Sequence, residues 1–341
     1  MARPTASKRS VIRENPRLVL SVLDLCKRAA GTSARESLRD TLSLARLVDT
    51  LGYKRFWIAE HHTDDAAQSC PEVLLPMLAS QTKSLRIGAG GILLQYYSPL
   101  KVAELFLALE ALFPGRMDLG ICRGPGVTSP KVAAALVSGH DDELSGENFE
   151  QKLGELVELL RQARLGSAAD GNVRASPFGV APPPLWMLGS GPSSLRLAAS
   201  HGTPYAYSLF FGGGLLYGLE FMADYRRTYA ASLDHPHAQG AIAVTVVCAD
   251  TDADALRWDA ELVEQGCYKS NIVGAPDTCA RTLKSFSELF GVDEIFVATF
   301  VQNPRARHDL YRHLAEGLHA QACSPQPFSG KPKDAASIRR L

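Results

Sequence analysis

Short, nearly unbroken apolar runs alternate along the chain with segments whose apolar residues recur at helical spacing. Eight runs have the character of strands buried on both faces of a parallel sheet, at 18–25, 53–59, 85–94, 117–122, 184–189, 204–211, 241–248 and 293–300. Between the first two, Ser33 and Glu36 make a capping-box signature. Leu38, Leu42, Ala45 and Val48 then mark one helical face, and Gly52 ends it. A second helix is predicted from Ser69-Cys70-Pro71-Glu72, again S-x-x-E with proline in the first turn. A third starts at Ser98-Pro99, carries Val102, Leu105, Phe106 and Leu109, and stops at Pro114-Gly115. Phe149, Leu153, Leu156 and Leu160 define another, and further helices are predicted from Ser193 and over 217–233, 277–290 and 305–318.

This alternation belongs to the α/β class and leaves two architectures, a (β/α)8 TIM barrel or a doubly wound open sheet. The glycine fingerprint of a dinucleotide-binding sheet is missing after the first strand, where Cys26-Lys27-Arg28-Ala29-Ala30-Gly31 stands. A barrel needs about 250 residues. The expectation is therefore a single barrel domain over 17–320, with loose tails at 1–16 and 321–341. The stretch 165–183 reads as an excursion ahead of the fifth strand.

Composition narrows the function classes. Of 341 residues, 46% are hydrophobic and 21% charged, the balance of a soluble globular protein. Lys and Arg (36) equal Asp and Glu (36), so no positive field favours a nucleic-acid partner. Seven dispersed cysteines without C-x-x-C spacing suit a reducing cytosol and argue against a disulfide frame or a structural zinc. The basic N-terminus has no apolar core of a secretory signal, and no run approaches the ~20 apolar residues of a membrane span. A cytoplasmic location is expected.

In a barrel, chemistry gathers where the strands end. There the chain places Asp24 near Lys27, then Glu60-His61-His62, Gly90-Gly91, Cys122-Arg123 and Gly189-Ser190-Gly191-Pro192-Ser193. Glu60-His61-His62 suits proton handling, because imidazole titrates near neutral pH. It is poor as a metal site, since neighbours on a strand face opposite ways. Gly90-Gly91 inside an apolar strand reads either as close approach of a flat ligand or as a bulge. The glycine-serine turn reads either as a phosphate cradle at a helix N-terminus or as a plain turn capped by Ser193.

The segments "FWIAEHH", "IGAGGILLQYYSPLKVAELFLALEALFPGRMDLGICRGPG" and "LWMLGSGPSSLRLAASHGTPYAY" resemble the bacterial-luciferase-like flavin monooxygenases, in particular a subgroup found with natural-product biosynthesis. The resemblance runs from about Leu18 to about Leu318. It implies a TIM barrel that uses reduced FMN, supplied by a separate flavin reductase, and O2 to oxygenate a small organic substrate through a peroxyflavin. Within it, Glu60 and His61 match a polar pair near the flavin, with His61 as the acid/base and Glu60 as its partner. Gly90-Gly91 match a non-prolyl cis peptide beside the flavin ring, and Cys122 a non-essential reactive thiol. Arg123, Ser190 and Ser193 match phosphate contacts, with backbone help from Gly189. Leu93 and Phe210 would form a dry wall. A homodimer through the early helices is the family habit.

Three departures stand out. Ser98 replaces a histidine common before the proline of the third helix, Leu209 and Phe210 stand where the closer subgroup tends to have histidines, and the Leu256–Ile272 stretch is short. In relatives a longer lid there covers the site, so the short one implies weaker exclusion of water, or closure by a partner subunit or a tail. Two alternatives stay open, a deazaflavin-dependent hydride-transfer enzyme and a non-catalytic flavin-binding partner subunit. A metal-dependent barrel hydrolase is a more distant one.

Overall fold

The polypeptide runs through β1 (Val19–Asp24), α1 (Ala34–Thr50), β2 (Arg55–Ile58), α2 (Pro71–Gln81), β3 (Arg86–Leu93), α3 (Pro99–Leu112) and β4 (Met117–Cys122). It continues through α4 (Pro130–Leu136), α5 (Gly146–Leu165), β5 (Leu185–Gly189), α6 (Pro192–His201), β6 (Tyr205–Ser208) and α7 (Gly214–Thr228). Last come β7 (Gly240–Cys248), α8 (Asp252–Glu264), β8 (Ile272–Gly274), α9 (Pro276–Phe290), β9 (Glu294–Ala298) and α10 (Pro304–Cys323). The computed structural model describes residues 18–138, 144–166, 173–211 and 214–323. The 1–16 tail, and all but the first three residues of the 321–341 tail, lie outside them.

Every strand pairing is parallel, in the order β6-β5-β4-β3-β2-β1-β9-β7, and the β6–β7 pairing closes the ring. The expected (β/α)8 barrel is thus the observed one, built from the eight predicted runs. The ninth strand, β8, is extra. It pairs only with the C-terminal half of β7, through Val246 to Cys248, while residues Ile242 to Thr245 of β7 pair with β9.

Side-chain alternation sorts two cores. One collects Leu20, Val22, Phe56 and Ile58 with the inner faces of the helices, and lies between barrel and helices. The other collects Leu23 and Leu25, Trp57 and Ala59, Trp186, Ala206, Ala243 and Phe296, and fills the barrel. The interior cluster joins side chains from β1, β2, β5, β6, β7 and β9.

The N-terminal end of the interior is plugged by ions. Arg55 reaches Asp118 at 2.6 Å and Glu294 at 2.8 Å, Arg86 reaches Asp118 at 2.7 Å, and Trp57 Nε1 donates to Asp118 at 3.1 Å. Ser21 donates to Glu294 at 2.6 Å. Each buried charge has an opposite partner and further hydrogen bonds, which offset desolvation.

Several local expectations need correction. The second helix is capped at Cys70 without a side-chain bond, so Ser69 is not its cap. The helix after β5 has Pro192 as its first residue and Gly191 as its N-cap, so Ser193 lies inside the first turn. Asp24 does not serve the strand-end site. It turns outward, taking Arg307 of α10 at 3.0 Å, the Thr41 hydroxyl of α1 at 2.9 Å and the Cys26 N–H at 2.9 Å. It therefore fastens two helices to β1, and Lys27 pairs instead with Asp65 at 2.7 Å. Among the described residues no helix is long and apolar enough to cross a membrane.

Candidate active site

A cavity of about 1840 Å³ opens at the C-terminal ends of the strands. Glu60, His61, Gly90, Gly91, Cys122, Arg123, Gly189, Ser190 and Ser193 all line it. Four separate stretches of sequence thus converge on one hollow, whose walls also include Leu25, Leu93, Trp57 and Phe296.

The Gly90-Gly91 peptide is cis. The β3–β4 register shifts between Ala89 and Ile92, so the pair is both an irregularity of the sheet and a stretch of bare backbone in the cavity wall. Neighbours leave no room for a side chain. A Cβ on Gly90 would lie 2.7 Å from Leu23 Cδ1, and one on Gly91 2.9 Å from the Gly120 carbonyl.

Glu60, just past β2, is buried, and its carboxylate is fully engaged. The Leu93 N–H donates to Oε2 at 2.9 Å, Tyr97 Oη donates to Oε1 at 3.1 Å, and His62 Nε2 lies 2.9 Å from Oε1. The expected Glu60–His61 pairing is therefore replaced by Glu60–His62. Alternation explains the exchange, since His61 faces the cavity while His62 turns behind the wall, edge-on to Tyr96. The partners missed from the sequence are Leu93, Tyr97 and His62. The strand period could have separated the two histidines, but nothing local announced Tyr97, which arrives from another element.

Burial holds the His61 imidazole below its usual pKa, with the Leu25 carbonyl acting in the other direction. Its buried Nδ1 has no hydrogen-bond partner among the described residues. The ring is thus neutral at neutral pH and able to accept or return a proton. Burial, and then the charge of Glu60, push the Cys122 thiol up to about 12, so it stays protonated. Among the described residues no cluster of three His, Cys, Asp or Glu side chains is arranged for a metal ion.

The cavity lining also includes the turn that opens α6. The turn between β5 and α6 is pinned by Tyr205 Oη, which donates to the Gly189 carbonyl at 3.1 Å, and by Ser194 Oγ, which donates to the Gly191 carbonyl at 2.9 Å. A Cβ on Gly189 would fall 2.2 Å from Ser194 Oγ, so only glycine fits. The first N–H groups of α6 have no acceptor within the helix, and its dipole makes that end positive. Ser190 and Ser193 line the same cavity, as does the exposed Arg123, which has no ion pair among the described residues and whose guanidinium lies beside Gly146 at the start of α5. Guanidinium, hydroxyls and helix terminus fit a phosphate, and the bare Gly90-Gly91 backbone fits the flat part of the same ligand.

The mouth contains two of the three departures noted in the sequence. Phe210 and Phe211 follow β6 in a single 3-10 turn, and Gln265 to Tyr268, after α8, form the facing rim. Phe211 meets Tyr268 edge-on, with ring centroids 6.4 Å apart. The short segment thus reaches the cavity and forms part of its edge.

This fold, with its cavity at the C-terminal ends of the strands, has the layout of a TIM-barrel enzyme. The model of the luciferase-like monooxygenases matches residues 19–278, and the chain belongs to that family. It is similar to a luciferase-like monooxygenase of Escherichia coli (strain K12), 36% identical over 243 residues that make up 70% of this chain and 69% of that protein. The crystal structure of apo-MsnO8 has a TM-score of 0.78 at 34% identity, covering 89% of this chain and 99% of that one. The oxygenating constituent of 3,6-diketocamphane monooxygenase from Pseudomonas putida, solved in complex with FMN, has a TM-score of 0.68 at 19% identity, covering 89% and 98%. At that identity it shows the shared fold.

Proposed function

We propose that this member of the family takes reduced FMN as its flavin and, with O2, oxygenates a small organic substrate. What supports this reading is the gathering of Arg123, Ser190, Ser193 and the cis Gly90-Gly91 peptide in the lining of one strand-end cavity. Bound there, reduced FMN would supply two electrons to O2, so that one oxygen atom enters the substrate and the other leaves as water.

The chain's own residues perform the rest. Arg123, Ser190, Ser193 and the first turn of α6 hold the phosphate, and Gly189 lets the turn close. Gly90 and Gly91 offer flat backbone to the ring. Leu25, Leu93, Trp57 and Phe210 keep the hollow apolar and exclude water from the reacting centre. His61, kept neutral by burial, takes and returns a proton at the cavity wall. Glu60, which also lines the cavity, acts beside His61. It holds the tips of β2 and β3 together through Leu93 and Tyr97, and so fixes the wall that carries His61.

The first strand lacks a nicotinamide fingerprint, which supports delivery of reduced FMN by a separate reductase in the cytoplasm. The exposed Val73 and Met77 of α2 support a homodimer through the early helices. The resemblance supports a natural-product intermediate as substrate.

The deciding experiment is anaerobic titration with reduced FMN, reduced riboflavin and a reduced deazaflavin, followed by rapid mixing with O2. The reading requires FMN to bind about tenfold or more tighter than riboflavin, and bound flavin to release hydrogen peroxide more slowly than free flavin does. Preference for the deazaflavin would replace oxygenation by hydride transfer. Tight FMN binding with unchanged peroxide release would indicate a binding subunit.

A further inference from the structure

The two sequence departures meet at one contact. Phe210 and Phe211 pack at a tilt with centroids 4.3 Å apart, and Phe211 in turn meets Tyr268 of the shortened segment. Phe210 is nearly buried, whereas Phe211 is 57% and Tyr268 64% exposed, and all three line the cavity. Aromatic surface therefore runs from open solvent into the barrel, where Trp57 and Phe296 lie 4.1 Å apart at centroid and also line the hollow. Two exposed rings at a cavity mouth lose free energy to water unless a ligand covers them.

Charge defines what that ligand can be. At the same mouth Lys27 is neutralised by Asp65, Arg28 is held on the Asp64 carbonyl at 3.1 Å so that this second basic and acidic pair also carries no net charge, and both oxygens of Glu60 already accept hydrogen bonds. Arg123, which has no ion pair among the described residues, belongs to the phosphate cradle. The aromatic run offers no counter-ion to a charged ligand, and desolvating an ion against it would go uncompensated. The hollow also exceeds the roughly 300–1,000 Å³ that one small ligand fills, which leaves space beside a flavin.

We propose that Phe210, Phe211 and Tyr268 are the substrate-selecting wall of this cavity and that the substrate is a neutral molecule bearing an aromatic ring system. The assignment rests on the flavin monooxygenase reading for the chemistry, though not for the binding preference. Rings stack offset or edge-on against such a wall and gain more than an aliphatic chain of equal area.

Calorimetric titration with three probes tests this. They are naphthol, a neutral aromatic, naphthoate, its charged counterpart, and decanol, a neutral chain, each measured with FMN absent and saturating. Naphthol should bind at least about threefold tighter than decanol and about tenfold tighter than naphthoate. Saturating FMN should leave its dissociation constant within about twofold. Phe211→Ala and Tyr268→Ala, at exposed positions that tolerate substitution, should each weaken naphthol about three- to tenfold with unchanged melting temperature and FMN affinity. Tyr268→Phe should bind as the parent does.

Equal binding of the three probes, no naphthol binding, or variants indistinguishable from the parent would overturn the assignment. Displacement of naphthol by FMN would give the aromatic run to the flavin ring instead. A change of oligomeric state in Phe211→Ala with naphthol affinity intact would give the patch to a second copy of the chain. Failure of FMN to bind, with the probe ranking retained, would remove the flavin reading and leave this one standing.

Discussion

In the proposed phosphate cradle Arg123 supplies full charge where Ser190, Ser193 and α6 supply dipoles. Its replacement by alanine should weaken FMN binding by about 1.5–3 kcal/mol, the scale of a charge-assisted hydrogen bond, or roughly ten- to a hundredfold in dissociation constant. Equilibrium titration of flavin fluorescence checks this. His61 gives a pH signature. Its folded pKa is depressed by burial, so the native state favours the neutral ring. The stability this contributes is present above the unfolded value of about 6.5 and is lost as pH falls through the lower folded value. His61→Asn should therefore flatten the acid limb of melting temperature against pH below about 6.5, and a limb identical to the parent's would reject the assignment. The same variant should lower turnover by about 10²–10⁴ if the ring moves a proton during the reaction, with flavin affinity little changed.

At the scale of elements, the ionic plug at the N-terminal end of the barrel predicts a large effect far from the cavity. Asp118→Ala would leave Arg55 and Arg86 without their shared carboxylate in a buried place, at a cost of about 3–5 kcal/mol, read as a fall in the denaturant midpoint. The eight barrel strands were legible because each is an apolar run long enough to stand out. β8 was not, since three residues carry no period. Nor was α8, whose buried residues are only Ala255 and Asp259, so it presents almost no apolar stripe. All nine predicted site residues reach one cavity, because strand ends in a barrel converge whatever their separation in sequence. The partners of Glu60 escaped notice because Tyr97 and Leu93 come from a neighbouring strand and its following turn. Such pairings are set by barrel closure, and a linear pattern contains no trace of them.

For the whole molecule, ligand binding and stability are linked. FMN at a hundred times its dissociation constant should add about 2.7 kcal/mol to the folded state and raise the melting temperature by several degrees, and riboflavin at equal concentration by less. Calorimetric scans with each ligand check this. The side attachment of β8 has a consequence of its own. Barrel closure passes from β7 directly to β6 and β9, so the chain between β7 and α9 is a spur on a finished ring. Its length can change by many residues without any strand of the ring shifting register. Protein engineers could therefore graft longer spurs here, or exchange them between relatives, and retune the entrance of the enzyme while its chassis keeps its shape.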